Sequence, residues 1–94
     1  MTASGHSRLL KILHIDPERH WGGGEAQVLD LLSYLAERGH RNDLLTHPDG
    51  RLFRESQGLG VRTIPLVVRN DLDLRPVFRL RRLIRDNNYD IIHF

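Results

Sequence analysis

A layered α/β fold, with a parallel sheet covered by helices on both faces, is what this 94-residue sequence predicts. Three observations carry the prediction. Short, nearly continuous apolar runs alternate with segments of helical period along the chain. The connections between them are short and hold Gly, Asp and Pro. No internal repeat, low-complexity tract or linker divides the chain, so a single core is expected from a chain this long.

The elements follow in order. Residues 9–15 (LLKILHI) read as a strand buried on both faces, ended by Asp16, Pro17 and then Gly22, Gly23 and Gly24. Residues 25–38 have helical spacing, with Val28, Leu29, Leu32, Leu35 and Ala36 on one stripe and Gly39 in place to end the helix. Residues 43–46 (DLLT) form a second strand, followed by a turn at His47-Pro48-Asp49-Gly50. Residues 52–59 make a short helix closed by Gly58 and Gly60. Residues 61–68 (VRTIPLVV) are extended, although Pro65 lacks the N–H that ladder pairing needs. Asp71 and Asp73 place acids at the positive end of a third helix, 74–86, whose Val77, Leu80 and Ile84 face inward. Residues 90–94 (DIIHF) are the fourth strand. Residues 1–8 form a loose polar tail, and residues 9–94 the domain.

This order requires crossover connections between parallel strands and predicts a Rossmann-like sheet of order 3-2-1-4. Ligands of such sheets sit beyond the strand C-termini, where the order switches between strands 1 and 4. The segments at that place are residues 16–24 and the pair His93-Phe94.

Composition removes several functions. The chain has no cysteine, which excludes disulfides, thiolate catalysis and cysteine-ligated zinc. Fourteen basic residues against twelve acidic give a net charge of +2, so no nucleic-acid partner is expected, although the isoelectric point is near 9.7. Thirteen of the fourteen basic residues are arginine, the side chain suited to two-pronged grips on phosphate or carboxylate. No run approaches the ~18 apolar residues of a spanning helix. The leader also lacks the apolar centre of a secretory signal, so a cytoplasmic location is expected.

The most informative stretch is His20-Trp21-Gly22-Gly23-Gly24-Glu25-Ala26-Gln27. Three glycines between a strand and a helix let backbone amides approach an anion at the positive end of the helix dipole. A Walker loop would need Lys-Ser/Thr where Glu25-Ala26 stands. A dinucleotide fingerprint would need glycine at Gln27 and an acid where Thr46-His47 ends the second strand, whereas Asp43 lies at that strand's start. The plainer account is that the glycines only turn the chain and let the helix pack closely.

Around the loop, Asp16, Glu18 and Glu25 could bind ligand hydroxyls or act as a base, although Glu25 also suits the helix dipole. His20 and Trp21 could stack on a ligand or serve as packing anchors. His14 reads as a core histidine. No histidine pair has metal-ligand spacing, so no metal is expected. Arg75, Arg79 and Arg82 form a basic helix face, either solvated or able to meet an anionic membrane or acidic acceptor.

Taken together, these residues resemble the opening of family 4 glycosyltransferases. The likeness runs through Lys11-Ile12-Leu13-His14-Ile15, then Gly22-Gly23-Gly24-Glu25-Ala26-Gln27-Val28, then Leu35-Ala36-Glu37-Arg38-Gly39-His40 with strand 43–46. It continues through Leu59-Gly60-Val61, helix 74–85 and Tyr89-Asp90-Ile91-Ile92-His93, covering residues 9–94. The resemblance implies a glycosyltransferase-B fold, two Rossmann-like domains across a cleft, this one holding the acceptor. It implies that Gly22, Gly23 and Gly24 face the diphosphate of a nucleotide-sugar co-substrate. It implies no other cofactor, no metal ligated by the protein, and transfer that usually retains anomeric configuration. His93 matches the first histidine of the family's closing motif, and the second falls beyond Phe94. The chain is therefore expected to be the N-terminal part of a longer transferase, inactive alone, whose missing C-terminal domain binds most of the donor. Because some members use lipid-linked acceptors, a peripheral contact at the inner face of the membrane is a further expectation. The alternative is a non-enzymatic Rossmann-like module that binds an anionic ligand or nucleotide at the glycine loop.

Overall fold

The computed structural model describes residues 8–17, 19–70 and 72–94. The expectations placed on residues 1–7, Glu18 and Asp71 lie outside them. Seven elements alternate: β1 (Lys11–Asp16), α1 (Gly23–Glu37), β2 (Arg41–Thr46), α2 (Arg51–Gln57), β3 (Arg62–Pro65), α3 (Arg75–Asn87) and β4 (Ile91–His93). The strands form one sheet of order β3-β2-β1-β4, with every neighbouring pair parallel. This is the Rossmann-like order that the alternation predicts.

Period-two alternation divides the core into two layers. On one face Leu13, Ile15, Leu45 and Leu66 form a cluster against which Leu80, Leu83 and Ile84 of α3 pack. On the other, Leu44 and Val61 meet Leu32 of α1 and Leu52 of α2, with Trp21, Val28, Leu29 and Leu59 around them. The central strands β1 and β2 are therefore covered twice, which is why they read as almost unbroken apolar runs.

The connections have local causes. After α1, Gly39 adopts φ +85°. Its N–H donates to the Ala36 carbonyl (3.0 Å) and the His40 N–H to the Leu35 carbonyl (3.1 Å), a Schellman ending. A side chain at Gly39 would be strained. Asp90 ties the start of the edge strand β4 to β1: its N–H donates to the Lys11 carbonyl, and its Oδ2 accepts from the Lys11 N–H, both at 2.8 Å.

Three expected details differ. β3 stops at Pro65, and after the Leu66 N–H bonds the Thr46 carbonyl (2.9 Å) the chain leaves the sheet with Val67 and Val68 exposed. β3 is an edge strand, and with Leu66 bonded to β2 the nitrogen of Pro65 faces the outer side, where a missing N–H is tolerated. The first strand begins at Lys11 rather than Leu9, which is exposed. Val77 is also exposed rather than inward. The buried stripe of α3 is Leu80, Leu83 and Ile84, and Val77 lies a turn before it, outside the cluster that α3 covers.

Candidate functional site

At the C-terminal ends of β1 and β4, a cleft of about 530 Å³ opens beside the first turns of α1. Its walls include His14 and Asp16 of β1, Pro17, Gly24 and Glu25 of α1, and His93 and Phe94 after the outer strand. This is the switch point of the sheet, between β1 and β4, where the strand order predicts a ligand.

Of the three loop glycines, Gly24 lines the cleft, and Gly22 and Gly23 precede it outside the lining. Gly22 is the N-cap of α1, in extended conformation, and among the described residues no side-chain cap hydrogen bond closes the helix. Gly22, Gly23 and Gly24 are exposed, and none has positive φ. A Cβ on Gly23 or Gly24 would meet nothing within 4 Å, and one on Gly22 would rest in ordinary contact with Glu25 Oε1 at 3.5 Å. Neither backbone conformation nor close packing within the chain demands these glycines. They keep the first turn of α1 open to approach from outside, while Glu25 lays its carboxylate near the positive helix end.

Beneath the cleft lies a histidine relay. His14 is only 2% exposed. Asn42 Nδ2 donates to the His40 carbonyl (3.2 Å), which leaves Asn42 Oδ1 facing His14 Nε2 at 2.9 Å. Nε2 therefore carries the His14 proton. Burial holds the His14 pKa below its ordinary value, outweighing the Asn42 hydrogen bond that supports the charged form. Neutral His14 then offers Nδ1 as an acceptor, and His93 Nδ1 donates to it at 3.2 Å. In its neutral form His93 retains Nε2 as an acceptor, a group able to receive a hydroxyl hydrogen.

Of the residues expected at the site, Asp16, Gly24, Glu25 and His93 line the cleft together. His20 and Trp21 are placed elsewhere. His20 is exposed, and Trp21 packs beside the Leu32 cluster with the Arg51 guanidinium 4.4 Å above its ring. Among the described residues, no group of three or more His, Asp or Glu could hold a metal ion. No described helix is long and apolar enough to cross a membrane.

Reading from residue types alone missed Asn42 and Asp43. These adjacent residues of β2 are both buried and point to opposite faces. Asp43, 0% exposed, accepts from the Tyr89 hydroxyl and from Arg62 Nη2 (2.6 Å) at Oδ2, while Oδ1 has no hydrogen-bond partner among the described residues. Arg62 also donates to Asn87 Oδ1 at 3.2 Å. Burial and the Asp43 contact push the Tyr89 hydroxyl up to about 12, and the Asp43 hydrogen bond raises Arg62 further. Only the position of Asp43 early in a buried strand hinted at such a pairing.

An all-parallel α/β sheet of this strand order, with a cleft at its switch point, belongs to the Rossmann-like class. The profile of Glycosyltransferase Family 4 matches residues 21–94, and the chain belongs to that family. The same fold is seen in the crystal structure of a glycosyltransferase from Rickettsia africae ESF-5, with a TM-score of 0.76 and 23% identity. That likeness covers 93% of this chain and 24% of the other, so the chain spans about a quarter of that neighbour's length. No curated protein matches it.

Proposed function

We propose that this chain forms the acceptor-side wall of an enzyme that moves a sugar from a nucleotide-sugar donor to an acceptor hydroxyl. The observation that carries the reading is the α1 terminus, where Gly24, exposed like Gly22 and Gly23 before it, lines a cleft together with Asp16, Glu25 and His93. Amides of the first helical turn, with no side-chain cap hydrogen bond among the described residues, are suited to the charge that develops on a departing diphosphate. His93, held by His14 and Asn42, is suited to receive a hydrogen bond from the acceptor. A second domain would bring most of the donor contacts, and this wall alone would not catalyse transfer. The reading puts the chain in the cytoplasm and requires no other cofactor.

The test is thermal shift and turnover of the full protein with a panel of sugar nucleotides, alongside the variant Gly24→Val. A nucleotide-sugar shift is expected, with turnover falling about a hundredfold in the variant while its melt is unchanged. Stabilisation by inorganic diphosphate without turnover of any sugar nucleotide would return the non-enzymatic binding module. Equal turnover in both proteins would leave the glycines with no role toward the donor.

A further inference from the structure

The cleft between α1 and β4 is built for an occupant of particular polarity. Gly24, Gln27, Val28 and Leu31 fall at i, i+3, i+4 and i+7, so one stripe of α1 lines it. Val28 also braces the Leu32 cluster, but Leu31 is half-buried and belongs to neither core cluster. Packing of the fold gives no account of its apolar side chain. From the β4 side the cleft is lined by Phe94, which is largely exposed. Large apolar side chains left open in a cavity suit a ligand with an apolar body.

Charge narrows the choice further. All thirteen arginines and the one lysine lie among the described residues, and none of them lines the cleft. Its carboxylates are Asp16 and Glu25. A phosphate ester or a carboxylate would enter beside two like charges, with no cation on this wall to offset them. An ammonium group gains little from Glu25, whose carboxylate already lies near the positive end of α1. A bare polyol would satisfy the polar groups and leave Leu31 and Phe94 wet.

We propose that the cleft takes an uncharged alcohol with an apolar body, its hydrocarbon lying along Leu31 and Phe94 and its hydroxyl donating to His93 Nε2. That this alcohol is the sugar acceptor rests on the transferase reading. On that reading the second domain supplies most contacts to the donor diphosphate, whereas the acceptor has this wall. The missing cation therefore selects against charge on the acceptor, and Leu31 becomes a specificity-determining residue.

The test is an NMR titration of the full chain, following the Leu31 methyl groups and the His93 ring nitrogens. The probes share one apolar body and differ in the end group: phenylbutanol, phenylbutyrate, phenylbutyl phosphate and phenylbutylamine, with glucose as the polyol. Phenylbutanol is expected to shift both sets of signals and to bind about tenfold or more tightly than the phosphate, the carboxylate or glucose. Leu31→Arg is expected to lose severalfold toward the alcohol and to gain toward the phosphate. Phe94→Ser, at an exposed position, is expected to lose severalfold toward the alcohol with its melt unchanged. A phosphate, carboxylate or glucose probe that equals the alcohol, an amine that exceeds it, or an alcohol affinity untouched by both variants would each overturn the proposal. Turnover of a sugar nucleotide onto a charged acceptor by the full protein would sink this inference and keep the transferase reading. Alcohol binding without turnover of any sugar nucleotide would do the reverse.

Discussion

Asn42 and Asp43 are neighbours in one strand, equally hidden from water, and they serve opposite ends. Asp43 faces α3 and is consumed by structure: Arg62 from β3 and Tyr89 from the turn before β4 converge on one carboxylate oxygen. Asn42 faces α1, and its effect passes outward through His14 to His93 at the cleft wall. Buried polarity that closes on itself serves as a clasp. Buried polarity that ends at a cavity orders a group for a ligand.

The comparison can be broken from its structural side first. Arg62→Leu leaves the hidden carboxylate with Tyr89 alone. Arg62 is half exposed, so solvent already screens part of the pair, and the expected loss is about 2 kcal/mol in urea unfolding. An unchanged midpoint would show that Asp43 needs no clasp.

Asn42→Leu tests the other side. It strands the His14 Nε2–H in an apolar layer and is expected to cost about 1–2 kcal/mol. It also frees the His14 tautomer, so the ring-nitrogen NMR signals of both His14 and His93 should shift. If stability falls while His93 is unmoved, the relay ends at His14.

Tyr89→Phe is expected to cost about 1 kcal/mol near neutrality. Its pH signature sharpens the assignment. The folded-state value is raised from 10.0 to about 12, so the contribution of Tyr89 is whole below 10.0 and fades as pH climbs toward 12. The parent should lose that increment over this alkaline window and the Phe variant should not. A parallel decline in both would remove Tyr89 as its source.

The smallest effect is expected from His14. Its pKa is lowered on folding, so the unfolded chain binds the proton more readily and stability falls as pH drops below 6.5. Melting temperatures across that range should decline less in His14→Gln. An equal decline would place the acid sensitivity at other groups.

The sheet order was legible because period and connection leave few options once β1 and β2 read as doubly buried strands. Asp16, Glu25, Gly24 and His93 could be assembled at one corner from topology alone, since Asp16 and His93 end strands and Gly24 and Glu25 open the helix that follows β1. The relay and the clasp were not legible. Asp43 meets Tyr89 across 46 positions and Asn42 meets His14 across 28, and neither pairing leaves a periodic trace. Trp21 was ambiguous for a related reason: the Leu32 cluster and Arg51 of α2, which show which surface the indole covers, are distant in sequence.

His14 and His93 stand 79 positions apart, yet together they line one cavity. The hollow consequently has no existence until β4 has zipped onto β1. A growing chain can complete the Leu32 layer from its earlier elements while lacking any place for a ligand. The cavity thus arrives at one moment, with the docking of a three-residue strand, and a small molecule captured there would act as a latch on the seam that joins the most sequence-distant strands of the sheet.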